Sequence, residues 1–267
     1  MIVGQQLTDL TMWSQVTLAM LSFSLCASGG YLINDVLDIP HDRSNPTKRL
    51  RPIANGEVAA SWALFAAALL VALGVACALL LPRPFLVWLS IYVALTLLYS
   101  LGLKRVSLLD VIALASLYTG RVLAGGAATS IEVSPWLLAF STFFFLSLAL
   151  VKRCAELQHH TDSESESAVP GRGYQSGDFE QLAIFGSTSG YLAVLVLAFY
   201  VDNSQDLYSQ PKLLWLVCFV VLYWISRVWL LTRRNQMHED PIVFAFRDKI
   251  SYLLGAIASG IMYWASR

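Results

Sequence analysis

Apolar runs of about 20 residues, each enough to cross a hydrocarbon core of about 30 Å, recur along the whole chain. They fall at 12–33, 61–81, 84–103, 108–128, 134–156, 179–201, 212–232 and 243–265. Runs of that length and spacing predict membrane-spanning helices. Composition agrees, with 57% hydrophobic and 13% charged residues, where an ordinary soluble domain carries roughly 25% charge. The mean hydropathy is +0.60. The expected fold is all-α, a multi-span transmembrane bundle of about eight helices forming one domain over 1–267.

Formal charge balances, 18 basic residues against 18 acidic, so net charge names no partner, and none of the motifs below asks for nucleic acid. Placement is more telling. Alternate loops are basic: one set holds Arg43, Lys48, Arg49, Arg51, Lys104, Arg105, Lys152, Arg153, Arg172, Arg233 and Arg234, the other only Arg83, Lys212 and Arg267. Lys and Arg accumulate on the cytoplasmic side, so the first set is expected inside and both termini outside. The four cysteines, Cys26, Cys77, Cys154 and Cys218, have no metal-ligand spacing and read as packing. The first thirty residues lack a basic n-region and a small-residue cleavage site, so no signal peptide is expected.

At the inner end of the first span, Asp35, Asp38 and Asp42 stand at i, i+3 and i+7, with Asn34 four residues before Asp38. On a continuing helix they form one stripe. Three like charges, each desolvated near a bilayer, persist cheaply only beside a neutralising hard cation. A magnesium site carrying phosphates is the reading that follows. Pro40 removes one backbone donor from this stripe and is expected to bend it, leaving Asp42 on the loop.

The next residues are cationic. Arg43, Lys48, Arg49 and Arg51 alternate with Asn45, Pro46 and Pro52; such a cluster marks topology or anchors anionic headgroups, but beside an acid stripe it suits a diphosphate that needs metal on some oxygens and Arg or Lys on the others. The following inner loop carries Tyr99 and Lys104, which either reach a phosphate or serve as interfacial anchors. Arg121 lies mid-span beside Gly120, Gly125 and Gly126. An unpaired arginine in lipid costs at least ~2.5 to 3.5 kcal/mol on insertion scales, so it must face a polar interior, paired with an anion or a ligand. Lys152 and Glu156 share a helix face and are expected to project together toward the aspartates, with Arg153 beside them. Beyond them runs a Ser/Glu-rich linker, ending at two further substrate-binding candidates, Arg172 and Tyr174. His159 and His160 lack further ligands for zinc, and His238 and Asp240 read as ordinary surface.

The pattern Asn34-Asp35-x-x-Asp38-x-x-x-Asp42, followed by Arg43-x-Asn45-Pro46-x-Lys48-Arg49-x-Arg51-Pro52, resembles the first signature of the UbiA-type superfamily of intramembrane prenyltransferases. Lys152-Arg153-x-x-Glu156-Leu157 stands where that superfamily has a second aspartate-rich signature, and with Arg121 and Gly125-Gly126 it looks like the branch typified by decaprenyl-phosphate phosphoribosyltransferase. The resemblance implies helices around a central cavity capped by cytoplasmic loops. It implies magnesium on Asp35, Asp38 and Asp42 with Asn34 in support. It places Lys48, Arg51, Lys104, Lys152 and Arg153 on phosphates and Glu156 in the role of a second-motif acid. Members of the family generally have nine spans and begin with a helix that this chain is expected to lack, and they more often space the Tyr99 and Lys104 equivalents by four residues than by five.

The expected reaction is magnesium-dependent transfer of phosphoribose from phosphoribosyl diphosphate to a polyprenyl phosphate, with diphosphate released. Prenyl transfer from a polyprenyl diphosphate to an aromatic or other small acceptor is the alternative. A transporter or lipid-binding protein using its acids for ion coupling would place them nearer mid-membrane. The expected partners are the polyprenyl lipid, the diphosphate donor and membrane lipids.

Overall fold

A computed structural model describes residues 10–44, 48–161, 173–203, 208–237 and 240–267. Its regular elements are all helical: α1 (Leu10–Leu37), α2 (Ile39–Ser44), α3 (Ala60–Ala78), α4 (Arg83–Leu101), α5 (Leu109–Thr129), α6 (Pro135–Thr161), α7 (Phe179–Asn203), α8 (Trp215–Arg233), α9 (Pro241–Ala245) and α10 (Lys249–Ala265). Among the described residues seven helices are long and apolar enough to cross a membrane. The expected eighth span, 243–265, is instead split into α9 and α10. Phe244, Phe246 and their neighbours are apolar enough to continue, but Arg247, Asp248 and Lys249 put three charges in a row. Asp248 then caps α10, accepting from the Ser251 N–H at 2.8 Å, and is gripped by both terminal nitrogens of Arg227 at 2.8 and 3.0 Å. What remains, 17 residues in α10, sits at the short edge of the spanning range.

Helices pack largely beside their chain neighbours, α1 along α3, α4 along α5, α5 along α6 and α6 along α7. Lipid tails are as apolar as leucine, so helix contact in a membrane depends on close approach and on polar bonds between helices rather than on exclusion of water. Both are present. Between α1 and α3, Ser22 Oγ donates to the Gly74 carbonyl at 2.8 Å, and a side chain on Gly74 would collide with the Ser22 carbonyl and Cys26. Where α6, α7 and α8 meet, the buried Ser147 hydroxyl donates to the Gly186 carbonyl at 2.7 Å and accepts from Trp229 Nε1 at 3.0 Å. Gly186 has no room for a Cβ, which would overlap the Trp229 ring and lie 2.9 Å from Leu150.

A buried ionic knot ties α5 to α6 at the end of the bundle that carries the acid stripe. Asp110, in the first turn of α5, and Arg153, on α6, are 0% and 1% exposed. Arg153 Nε lies 2.5 Å from Asp110 Oδ2. The second Asp110 oxygen accepts from the Tyr174 hydroxyl, which itself accepts from the Leu108 N–H at 2.9 Å. Leu108 has a φ of 65°, a conformation costly for a branched residue, and this hydrogen bond helps to hold it. Burial, and then the bond to Asp110, push the Tyr174 hydroxyl above the usual tyrosine range.

Two stability outcomes follow. Gly186→Val overpacks the α6–α7–α8 junction and is expected to cost about 1–3 kcal/mol, read as a lower melting temperature in detergent. Asp110→Ala leaves the Arg153 guanidinium buried without its carboxylate and is expected to cost about 3–5 kcal/mol in the same assay, more than Tyr174→Phe.

Candidate active site

The acid stripe survives the proline. Pro40 offers no N–H to the Val36 carbonyl, so α1 ends at Leu37 and α2 begins at Ile39. The ladder nonetheless bridges the gap, with Asp38 N donating to Asn34 O at 2.9 Å and Asp42 N to Asp38 O at 2.8 Å. Asp42 therefore lies on a short helix, 4% exposed, rather than on the loop.

The loop arginines are drawn onto this stripe. Arg51 Nη1 sits 3.0 Å from Asp35 Oδ1 and 2.9 Å from Asp42 Oδ2, so two carboxylates seven residues apart converge on one nitrogen. Arg43 has a different job, its Nε donating to the Ala54 carbonyl at 2.9 Å and so fastening the loop that delivers Arg51. Lys48 is exposed on the same loop. From across the bundle Lys104, buried at 6% exposure, brings its ammonium 2.5 Å from Asp38 Oδ1 and 2.9 Å from Asn34 Oδ1. Asn34 completes the set by donating to Asp38 Oδ2 at 3.0 Å. The interfacial-anchor alternative for Lys104 does not match this placement, because an anchor would point its ammonium to the headgroups.

Three acids therefore face two cations in one polar end, the acids grouped as Asp35 with Asp42 and Asp38 apart. Among the described residues no three His, Cys, Asp or Glu side chains converge as a metal-holding group. Magnesium, however, is commonly held by one or two carboxylates together with substrate phosphates and water. Hard oxygen donors already aimed at one cationic nitrogen fit that habit, so Asp35 and Asp42 are the pair that could hold a divalent ion.

The second motif is arranged differently from its expected projection. Lys152 and Glu156 do not point together: Lys152 Nζ reaches Asp240 Oδ2 at 2.7 Å, and Glu156 pairs with Arg153. Arg153, expected on phosphates, spends its guanidinium on Asp110, Glu156 and the Tyr99 hydroxyl, the last at 3.0 Å. Full burial explains this, since a cation removed from water needs carboxylate counter-charge beside it. Tyr99 is thus engaged with α6 while Lys104, five residues on, turns to α1. Tyr174 joins the Asp110 knot, and Arg172 lies outside the described residues.

Arg121 stands apart from these pairs. Its Nη2 donates to the Tyr92 hydroxyl at 2.9 Å, and its guanidinium lies 5.2 and 4.9 Å from the centroids of the Tyr92 and Tyr118 rings. It also lines a cavity of about 500 Å³ between α1, α4 and α5. Reasoning from residue types passed over Asp110, Tyr92 and Tyr118 and read Asp240 as surface. An acid in the first turn of a span is rare enough in a membrane to have marked Asp110. Asp240 carried only the weaker signal of an Asp-Pro helix start.

Comparison with known proteins supplies the lineage. The model of the UbiA prenyltransferase family matches residues 2–250. An uncharacterized protein, y4nM, of Sinorhizobium fredii is 37% identical over 254 residues, covering 94% of this chain and 49% of that protein. Nodulation protein NoeC of Azorhizobium caulinodans is 35% identical over 252 residues, covering 92% and 81%. The decaprenyl-phosphate phosphoribosyltransferase of Mycobacterium tuberculosis is 40% identical over 144 residues, covering 54% and 48%. The chain thus spans about half the length of the S. fredii protein, and the segment matched in the M. tuberculosis protein is about half of that one. Among solved structures, a UbiA homolog from Archaeoglobus fulgidus bound to GPP and Mg2+ shares the fold, with a TM-score of 0.71 at 15% identity over 94% of this chain and 86% of that one. A family match over nearly the whole sequence and a shared bundle of membrane helices agree: this multi-pass membrane protein belongs to the UbiA prenyltransferase family, a family of transferases.

Proposed function

We propose that this chain transfers the phosphoribosyl group of phosphoribosyl diphosphate to a polyprenyl phosphate, releasing diphosphate, with magnesium held by Asp35 and Asp42 and assisted by Asp38. The observation that carries the reading is the interleaving of acid and cation at one end of the bundle, where Arg51 serves two aspartates and Lys104 a third. A donor with a diphosphate and a 5-phosphate, meeting an acceptor that is itself a phosphate, brings more negative charge than a prenyl diphosphate and a neutral phenol. Lys152, partly exposed and able to exchange Asp240 for a phosphate oxygen, suits that load. Similarity to proteins named decaprenyl-phosphate phosphoribosyltransferase supports the same choice.

When bound, magnesium would neutralise the diphosphate and make it a better leaving group. The chain's own residues supply the rest. Arg51 and Lys104, each shared between carboxylates or amide oxygens, turn to the oxygens of the departing diphosphate, and Lys48 at the mouth of the loop adds a third cation. As the bond from the anomeric carbon to diphosphate breaks, positive charge develops on the sugar and negative charge on the leaving oxygens, which these preplaced cations stabilise. An oxygen of the lipid phosphate, ionised at neutral pH, then forms the new bond to that carbon. No strong general base is required. Lys152 and Asp240 form a neutral pair on the α6 side, available to the donor's 5-phosphate. The basic loops face the cytoplasm by the distribution of Lys and Arg.

Protein purified into lipid nanodiscs, given phosphoribosyl diphosphate, polyprenyl phosphate and magnesium, is expected to form the phosphoribosylated lipid. Lys104→Met should lower kcat by about 10²-fold, the usual effect of deleting one preorganised donor, and Asp38→Ala should abolish turnover in a protein that still folds, with a lower melting temperature because buried Lys104 loses its carboxylate. Full turnover in Asp38→Ala would contradict the assignment. Stripping divalent ions with a chelator should stop the reaction, and added magnesium should restore it. If product forms only from a polyprenyl diphosphate and a phenol, prenyl transfer, the reaction that names the family, replaces the donor proposed here.

A further inference from the structure

Arg121 lies well below the acid end. It is 11 residues beyond Asp110 on α5, about 16 Å along the axis, with its side chain tilted back toward the helix N-terminus. Among the described residues no carboxylate lies within ion-pairing distance of it. One neutral hydroxyl and two aromatic faces hold it in place and leave donors of the planar fork uncommitted. No carboxylate among the described residues neutralises this charge, in a segment where charge costs several kcal/mol.

The cavity it lines is polar at one end and apolar at the other. On α1 the residues nearer the acid end are Ser24, Ser28 and Tyr31. Farther along, the wall is Val16, Met20 and Phe85. On α5, which runs the opposite way, Arg121 again lies nearer the acid end and Ala128 farther. A Cβ on Gly125, one turn from Arg121, would meet nothing within 4 Å, so the space beside the guanidinium is open. From Val16 to Tyr31 the groove extends about 22 Å. Its volume, about 500 Å³, is within the usual range of ligand sites.

We infer that this groove is the seat of the lipid acceptor, with Arg121 binding its phosphate monoester, Ser28 and Tyr31 adding hydrogen bonds, and the hydrocarbon tail running down toward Met20 and Val16. The assignment rests on the proposed transfer to a polyprenyl phosphate and divides that site in two: the donor lies against Asp35, Asp42, Arg51 and Lys104, and the acceptor head approaches from below. A neutral acceptor would leave the arginine without a counterion, so the same cation selects for an anionic lipid head.

The test is direct binding in nanodiscs, with a polyprenyl phosphate, the polyprenol of equal length and inorganic phosphate as probes. The parent protein is expected to prefer the lipid phosphate to the polyprenol by more than tenfold. Arg121→Gln should weaken lipid phosphate binding by at least tenfold and leave polyprenol binding unchanged, and Arg121→Lys should recover part of the loss. In turnover, Arg121→Gln should raise the KM for the lipid and not that for phosphoribosyl diphosphate. Equal binding of polyprenol and polyprenyl phosphate by the parent, or lipid phosphate affinity unaltered in a folded Arg121→Gln protein, overturns the inference. So does a loss in Arg121→Gln matched for polyprenol, which marks a packing role, or for inorganic phosphate alone, which marks a donor subsite. Selective lipid phosphate binding without turnover from phosphoribosyl diphosphate supports the acceptor groove and defeats the donor assignment, so the two readings fail separately.

Discussion

Charge that water does not solvate must be matched by charge the protein supplies, and at the polar end of this bundle that requirement shapes both structure and site. Asp35 and Asp42 meet at Arg51, and Asp38 meets Lys104. Each pairing joins segments remote in sequence: Arg51 is carried on the loop after α2, and Lys104 on the short turn that links α4 to α5. The attraction that settles the acids therefore also draws the loops over the helix ends. In the proposed reaction the same cations take a more highly charged guest, because a diphosphate offers them the same kind of oxygen ligand as the aspartates do.

Below that layer a second charged group is treated differently. Asp110 and Arg153 are sealed from solvent and bound to each other, to Tyr174, to Tyr99 and to Glu156. Such a pair contributes little net stability relative to apolar packing but is costly to break. Its value lies in geometry. It fixes the start of α5, and hence the turn bearing Lys104, against α6, and it draws Tyr99 away from the phosphate role that its position suggested. Arg121, held by ring faces rather than acids, is the contrasting case of a cation left with capacity for a ligand.

Several features were legible in the residues alone. The helical spans follow from apolar length, because a backbone in lipid must satisfy its hydrogen bonds within itself. The aspartate stripe was legible from its spacing, whereas the Tyr92 and Tyr118 rings that hold Arg121 in place of the expected anion were not. The break between α9 and α10 was harder to see, since hydropathy averages over Arg247, Asp248 and Lys249, whereas a helix end depends on the one residue that caps it. Likewise the shared face of Lys152 and Glu156 was visible, but which partner each would take was not. Arg153, one residue from Lys152, claimed Glu156, and Asp240, 88 residues away along the chain, claimed Lys152.

By itself, then, the sequence determined the class of fold, the end of the molecule where acids and cations gather and the residue types gathered there, because these depend on local length, period and charge. Only the tertiary structure decided the pairings, Arg51 with two aspartates, Lys104 with the third, Arg153 with Asp110 rather than with a ligand. Competition among several cations for several acids is settled by which helices touch, and that is a property of packing across the whole bundle rather than of any one segment.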